Sequence, residues 1–316
     1  MIVSAVLVAY TVVAMSLLPR VLPRGAWSER APRLAIAVWL AACASAVVSA
    51  FLAGVAAAVP GSVVGHGLAG LFQMCAAMLS GGSAFATTGG RLAMTGSLLI
   101  ASWAACCGLA VLLRARRERR RHALMLRILG RPDDAIGATV VEHDEPVAYC
   151  LPGRRGQAVI TTGALRSLAP EEVAAVIAHE RAHLRGRHHL LLAAVETLVR
   201  AFPRLPLFAQ ARDEVTRLVE LLADDVAASR HPRIHIAAAL VRLATGRAPA
   251  FTLGAGGETA ITRVRRMLDP KAPLNLRERL AGVITITALL SGPAAVALVP
   301  GISVFLAHHC HRLTMF

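Results

Sequence analysis

The sequence predicts a mainly α, polytopic membrane protein, with about four transmembrane helices and one α+β domain between the third and the fourth. Three observations lead there. Apolar residues make up 56% of the 316-residue chain, against roughly 45–50% in a soluble protein. The excess is gathered into four blocks rather than spread along the chain. One charged, mixed stretch separates the third block from the fourth, and it carries both strand-like and helix-like patterns.

A spanning helix needs about 20 mainly apolar residues. Residues 2–18, 34–60 and 92–113 meet that requirement, and 280–306 forms a fourth block with Pro293 and Pro300 as expected kinks. The chain therefore divides into a membrane region (1–113), a water-exposed domain (114–279), and a fourth span with a short tail (280–316). The first block has no basic residue ahead of it, and Arg20, Arg24, Arg30 and Arg33 follow it. That is the reverse of a signal peptide, so a retained span is expected. The stretch 61–90 is nearly uncharged and its apolar middle is short, so an interfacial or re-entrant segment is expected.

Positive charge beside a span marks the cytoplasmic side. The arginines between the first two spans, and the run RARRERRRH at 114–122 after the third, both assign the inside face. The expected layout is a multi-pass protein of a bacterial cell membrane. Its N-terminus and tail lie outside and its domain is cytoplasmic.

Charge and cysteine usage exclude other classes. The formal net charge is +15, but the arginines cluster beside apolar spans, where membrane orientation and contact with anionic lipid account for them. No direct nucleic-acid partner is expected. The six cysteines include no C-x-x-C pair, and Cys43, Cys106 and Cys107 lie inside apolar spans, where cysteine acts as a small apolar residue, so no disulfide framework or cysteine zinc site is expected.

Within the domain, residues 116–129 read as a basic helix stopped by Gly130 and Pro132. Residues 138–141, 146–151 and 157–162 read as strands of a hairpin or small sheet. A short helical turn is expected at 164–168. A long helix begins at Pro170, with Glu171 and Glu172 at its positive end and the poor capper Ala169 before it. It is expected to continue to about Phe202. Further helices are expected at 209–229, 234–245 and 263–268.

The chemistry lies in His179-Glu180-Arg181-Ala182-His183. Histidines four apart on a helix face the same way and can grip one zinc ion. Glu180, beside them, can take a proton from water and hand it to a leaving amine. The motif sits in an amphipathic helix whose apolar face includes Val173, Val176, Ile177 and Leu184. Glu220 and Asp224, also four apart, share a face of the next helix. An antiparallel return would bring Glu220 level with His183 as the third ligand. Asp224 would then bond the free nitrogen of a ligand histidine.

With these residues in view, the sequence resembles the BlaR/MecR-type membrane metallopeptidases. VIAHERAH, ELLADD, the preceding CLPGRRGQAVITTGALRSL and the order of spans carry the resemblance. HtpX-like and CAAX-prenyl proteases share the pattern of H-E-x-x-H followed by E-x-x-x-D. The resemblance implies a gluzincin-like zinc protease domain with one Zn2+ per chain. It implies His179, His183 and Glu220 as ligands, Glu180 as base and Asp224 behind them. It also implies a protein or peptide substrate, such as a transcriptional repressor, paired by β-augmentation to the strand near 159–162. The classical sensors carry an outside penicillin-binding domain after the fourth span. None follows here, so beta-lactam sensing by that route is not expected.

Other histidines have plainer roles. His188 and His189 read as surface or packing histidines. His231 or His235 could stabilise an oxyanion, although a helix-start or core role is the simpler reading. The tail His308-His309-Cys310-His311 could bind metal, against a wet membrane-edge tail. Function could be HtpX-like quality control, or a non-catalytic scaffold or receptor. The sequence does not specify an oligomeric state.

Overall fold

The computed structural model describes residues 2–22, 26–58, 88–153, 156–245 and 256–313. Most of the 61–90 stretch lies outside the described residues, as do the side chains of the histidine-rich tail. Helix α1 (Ile2–Val21) is followed by the short α2 (Ala26–Arg30), by α3 (Pro32–Ala58) and by α4 (Thr88–Leu129). Four strands follow: β1 (Gly130–Asp133), β2 (Ala138–Val141), β3 (Ala148–Leu151) and β4 (Gln157–Thr161). Then come α5 (Thr162–Ser167), α6 (Pro170–Arg185), α7 (His188–Ala201), α8 (Pro206–Ala228), α9 (Arg233–Thr245), α10 (Gly256–Leu268) and α11 (Leu276–Leu313).

Four of these helices are long and apolar enough to cross a membrane: α1, α3, α4 and the Leu276–Leu298 part of α11. Hydroxyl groups tie α1 to α3. Ser4 donates to the Ala53 carbonyl at 2.9 Å, Ser49 donates to the Leu7 carbonyl at 3.0 Å, and the Tyr10 and Ser45 hydroxyls lie 2.6 Å apart. Between apolar helices such groups have few other partners. The third span and the basic helix expected after it form one unbroken element. At about 1.5 Å per residue, the 42 residues of α4 extend for about 63 Å, twice the roughly 30 Å of a hydrocarbon core. The arginine run therefore stands on a rigid stalk.

One apolar core joins the spans to the domain. Ala35, Ile36, Trp39 and Cys43 of α3 pack with Leu207, Phe208, Val215 and Leu218 of α8, and Val195 of α7 joins them. The Trp103 indole N–H in α4 donates to the Ala201 carbonyl at the end of α7, at 3.1 Å. The α7–α8 hairpin is thus anchored among the membrane helices, and the site it helps to build is fixed relative to them.

The sheet has the order β1-β2-β4-β3, with β2 and β4 parallel and the outer pairs antiparallel. Two expectations change. Gly130 and Pro132 do end the helix, but they do so by starting an edge strand, where proline is tolerated. The strand expected to offer its edge to a peptide, β4, is interior, with β2 on one side and β3 on the other. The free edge near the site belongs to β3. The Thr161 hydroxyl accepts from Val147 N–H at 3.0 Å and from Ala164 N–H at 3.2 Å, closing the sheet and capping α5.

Helix α6 fills the centre of the domain. Val173, Val176 and Ile177 meet the sheet residues Ala158 and Ile160. Ala175 and Ala178 meet Ala227, Ile236 and Met267 on the far side. Its first turn is held in spite of Ala169. The buried Glu172 carboxylate reaches back to the Ala169 N–H at 2.9 Å, and Arg242 pairs with it at 3.3 Å.

The single helix expected from Pro170 to Phe202 is two helices. Gly186 ends the first, and Arg187 takes a left-handed conformation at φ 48°. A Cβ at Gly186 would collide with the folded-back His188 ring, so glycine is needed there for space.

Candidate metal centre

The third face of α6 carries His179, Glu180 and His183, and α8 lies across from it. His179 Nδ1 meets Asp224 Oδ1 at 2.9 Å, and His183 Nε2 meets Glu220 Oε1 at 3.4 Å. Rising numbers on α6 thus meet falling numbers on α8, so the two helices run antiparallel at the site. The expected return is made through the broken α6–α7 corner instead of one long arm.

Three candidate ligand atoms converge. His179 Nε2 and His183 Nε2 are 3.1 Å apart, and the Glu220 carboxylate lies 3.5 Å from the first and 3.4 Å from the second. Zinc holds such atoms at about 2.0–2.1 Å, which sets tetrahedral edges of about 3.3 Å. The spacing and the His-His-Glu donor set both fit zinc. Among the described residues this is the group able to hold a metal ion.

The nitrogens facing away from this point are also engaged. His179 Nδ1 is bound to Asp224, which is wholly buried. His183 Nδ1 lies 2.8 Å from His188 Nδ1. Outer partners of this kind fix the tautomer and orientation of a ligand histidine. Asp224 is expected in that position from its spacing, and His188 is expected as a surface or packing histidine. His188 is indeed buried, at 3% exposure, but it is bonded to a candidate ligand.

Arg263 of α10 was not anticipated. Its Nε and one terminal nitrogen each bond an Asp224 oxygen at 2.8 Å, and the other terminal nitrogen lies 3.1 Å from Glu220. Such a fork is well matched to a carboxylate. No hydrogen bond or ion pair ties His231 or His235 to the cluster among the described residues; Arg263 is the cation that reaches it.

Burial and charge divide the protonation states. Burial works against the Asp224 charge, but Arg263 and His179 outweigh it and hold its pKa down at about 2. Burial likewise opposes a charged His179, yet the bonds to Asp224 and Glu220 raise its pKa to about 9 in the metal-free protein. His183 is lowered to about 4 by burial and by the charge of His179. Burial raises the Glu180 pKa, and Glu220 adds to the rise while His179 opposes it. The Cys150 thiol on β3 is pushed up to about 12 by burial and by the charge of the nearby Glu180.

Two further contacts fix the frame. Arg181, between the two histidines, donates to the Gly137 carbonyl at 2.7 Å and ties α6 to the turn before β2. Gly137 has φ +62°, a conformation that favours glycine. Antiparallel alternation, with Val147 facing Thr161 and Tyr149 facing Val159, turns the Ala148 and Cys150 backbone groups toward the free edge.

His179, His183 and Glu220 form a group able to hold a metal ion, set among helices long and apolar enough to cross a membrane. Residues 112–251 match the model of Peptidase family M48. The chain is 33% identical over 123 residues to the Protease HtpX homolog of Burkholderia multivorans, covering 37% of this chain and 42% of the relative. The homologs of Burkholderia cenocepacia and Burkholderia ambifaria match at the same identity and coverage. The chain thus spans about two fifths of the length of these curated relatives. No solved structure matches significantly. The family model covers less than half of this chain, and both comparisons show a likeness to proteases of the M48 and HtpX kinds.

Proposed function

We propose that the chain is a membrane zinc endopeptidase in which His179, His183 and Glu220 hold one Zn2+ and Glu180 is the catalytic base. The observation that carries this reading is the meeting of two imidazole Nε2 atoms and one carboxylate at the edge lengths of a zinc tetrahedron. A zinc ion held there supplies Lewis acidity to a scissile carbonyl and acidifies water. Glu180 then accepts the water's proton and returns it to the leaving amine. Its burial, which makes the carboxylate more basic, suits both transfers. Asp224 and His188 keep the two imidazoles aimed inward. An extended segment of the substrate pairs with the free edge of β3, beside Glu180.

The arginine run of 114–122 supports a domain facing the cytoplasm, so the substrate is a cytoplasmic or membrane protein. Cleavage of a regulatory protein such as a repressor is one reading. Quality control of membrane proteins is the other, and the HtpX homologs among the relatives favour it. A chelator should abolish cleavage of an unfolded test protein by the reconstituted chain, and added zinc should restore it. Cleavage that persists in chelator would overturn the zinc reading.

The role of His188 is tested by His188→Ala. Loss of an outer partner costs about 10–100-fold in metal affinity, so competition with a chromophoric chelator should reveal weakening of that order. Unchanged affinity would reduce His188 to a packing residue.

A further inference from the structure

A second site lies behind the metal centre. The start of α3, the end of α6, the start of α7 and the end of α8 enclose a cleft of about 560 Å³. Arg33, Arg185 and Arg230 line it, no acidic residue does, and His188 forms part of its wall. All three arginines are exposed. Among the described residues none of the three has a carboxylate partner; Arg185 donates only to the Arg181 carbonyl, at 3.4 Å.

The rest of the cleft is apolar. Ile36 and Leu40 of α3, with Leu191 and Leu222 opposite, continue from the arginines along the spanning helix. Arg33 stands in the first turn of that span, so the cationic end lies at the membrane surface and the apolar end points along the helix into the bilayer. Three guanidinium groups with no carboxylate partner among the described residues match a phosphate, which arginine binds by paired hydrogen bonds. The apolar wall matches a hydrocarbon chain.

We propose that this cleft binds one anionic phospholipid from the bilayer, with its phosphate among Arg33, Arg185 and Arg230 and an acyl chain along α3. His188 links the site to the metal centre, since one edge of its ring faces the cleft and its Nδ1 lies 2.8 Å from His183. A lipid seated there would brace the partner of a candidate metal ligand. The proposal does not depend on the chain being a protease.

The test uses the full chain in neutral detergent, titrated calorimetrically with a short-chain phosphatidylglycerol. Arg33→Gln/Arg185→Gln/Arg230→Gln should weaken binding by roughly tenfold or more, as expected on losing charge-assisted hydrogen bonds. A control with Arg131→Gln/Arg204→Gln/Arg277→Gln, which removes equal charge from exposed positions outside the cleft and outside the 114–122 run, should bind like wild type. Equal binding by the cleft variant and wild type would overturn the site. Equal loss in the control would reduce it to general charge attraction. Inorganic phosphate binding as tightly as the lipid would assign the cleft to a soluble phosphate and overturn the lipid. Should the triple variant fail to fold, Arg230→Gln alone, at the end of α8, carries the same comparison.

Discussion

Glu180→Gln is expected to retain the metal and to lose cleavage by about 10²–10⁴-fold, the range ascribed to a positioned general base. Glutamine preserves the shape of the side chain and its reach toward Cys150, and it removes only the basic carboxylate. The three converging atoms belong to His179, His183 and Glu220, so metal affinity should change little. Burial and the nearby Glu220 charge make the Glu180 carboxylate more basic than usual, which is what a proton acceptor requires. Turnover measured per bound zinc separates the two effects. Near-normal turnover in this variant would remove Glu180 from the mechanism.

The second large effect is a contrast between neighbours on α8. Asp224→Ala should damage the fold, whereas Glu220→Ala should damage the metal site. Asp224 is wholly buried, bonded to His179 and held bidentately by Arg263. Removing it leaves the largely buried Arg263 guanidinium with Glu220 as its remaining carboxylate, and losing one partner of a buried pair costs up to about 3–5 kcal/mol. The Glu220 side chain is 36% exposed, so its loss is cheap for the fold and costly for zinc. A melting curve and a zinc titration on each variant should therefore cross: Asp224→Ala has the lower Tm and Glu220→Ala the weaker zinc binding. The reverse order in both would mean that the two roles are exchanged.

The site is most legible in the sequence where local geometry decides. Residues four apart on a helix share a face whatever surrounds them, so the His179–His183 and Glu220–Asp224 pairings were visible in the spacing. The α6–α7 break carries one signal, Gly186 with Arg185 before it in the polar stretch 183–189, but a lone glycine inside a helical pattern is often tolerated, and the left-handed residue itself is an arginine. His188 was missed for the same reason: only the break folds its ring back onto His183. Arg263 lies far along the chain from Asp224, next to other basic residues of one helix. Val264 and Met267 pack into the core of that helix, and this sets the rotation that turns Arg263 inward. Strand order was also beyond local pattern. Nothing in residues 157–161 reveals that β2 lies on one side of them and β3 on the other, since the parallel pairing joins segments distant in the chain.

Zinc content per chain, by elemental analysis of detergent-purified wild type beside His179→Ala, tests the central claim most directly. The account predicts one zinc in the wild type and none in the variant. No zinc in either protein would contradict it and leave a membrane scaffold with an unused H-E-x-x-H helix.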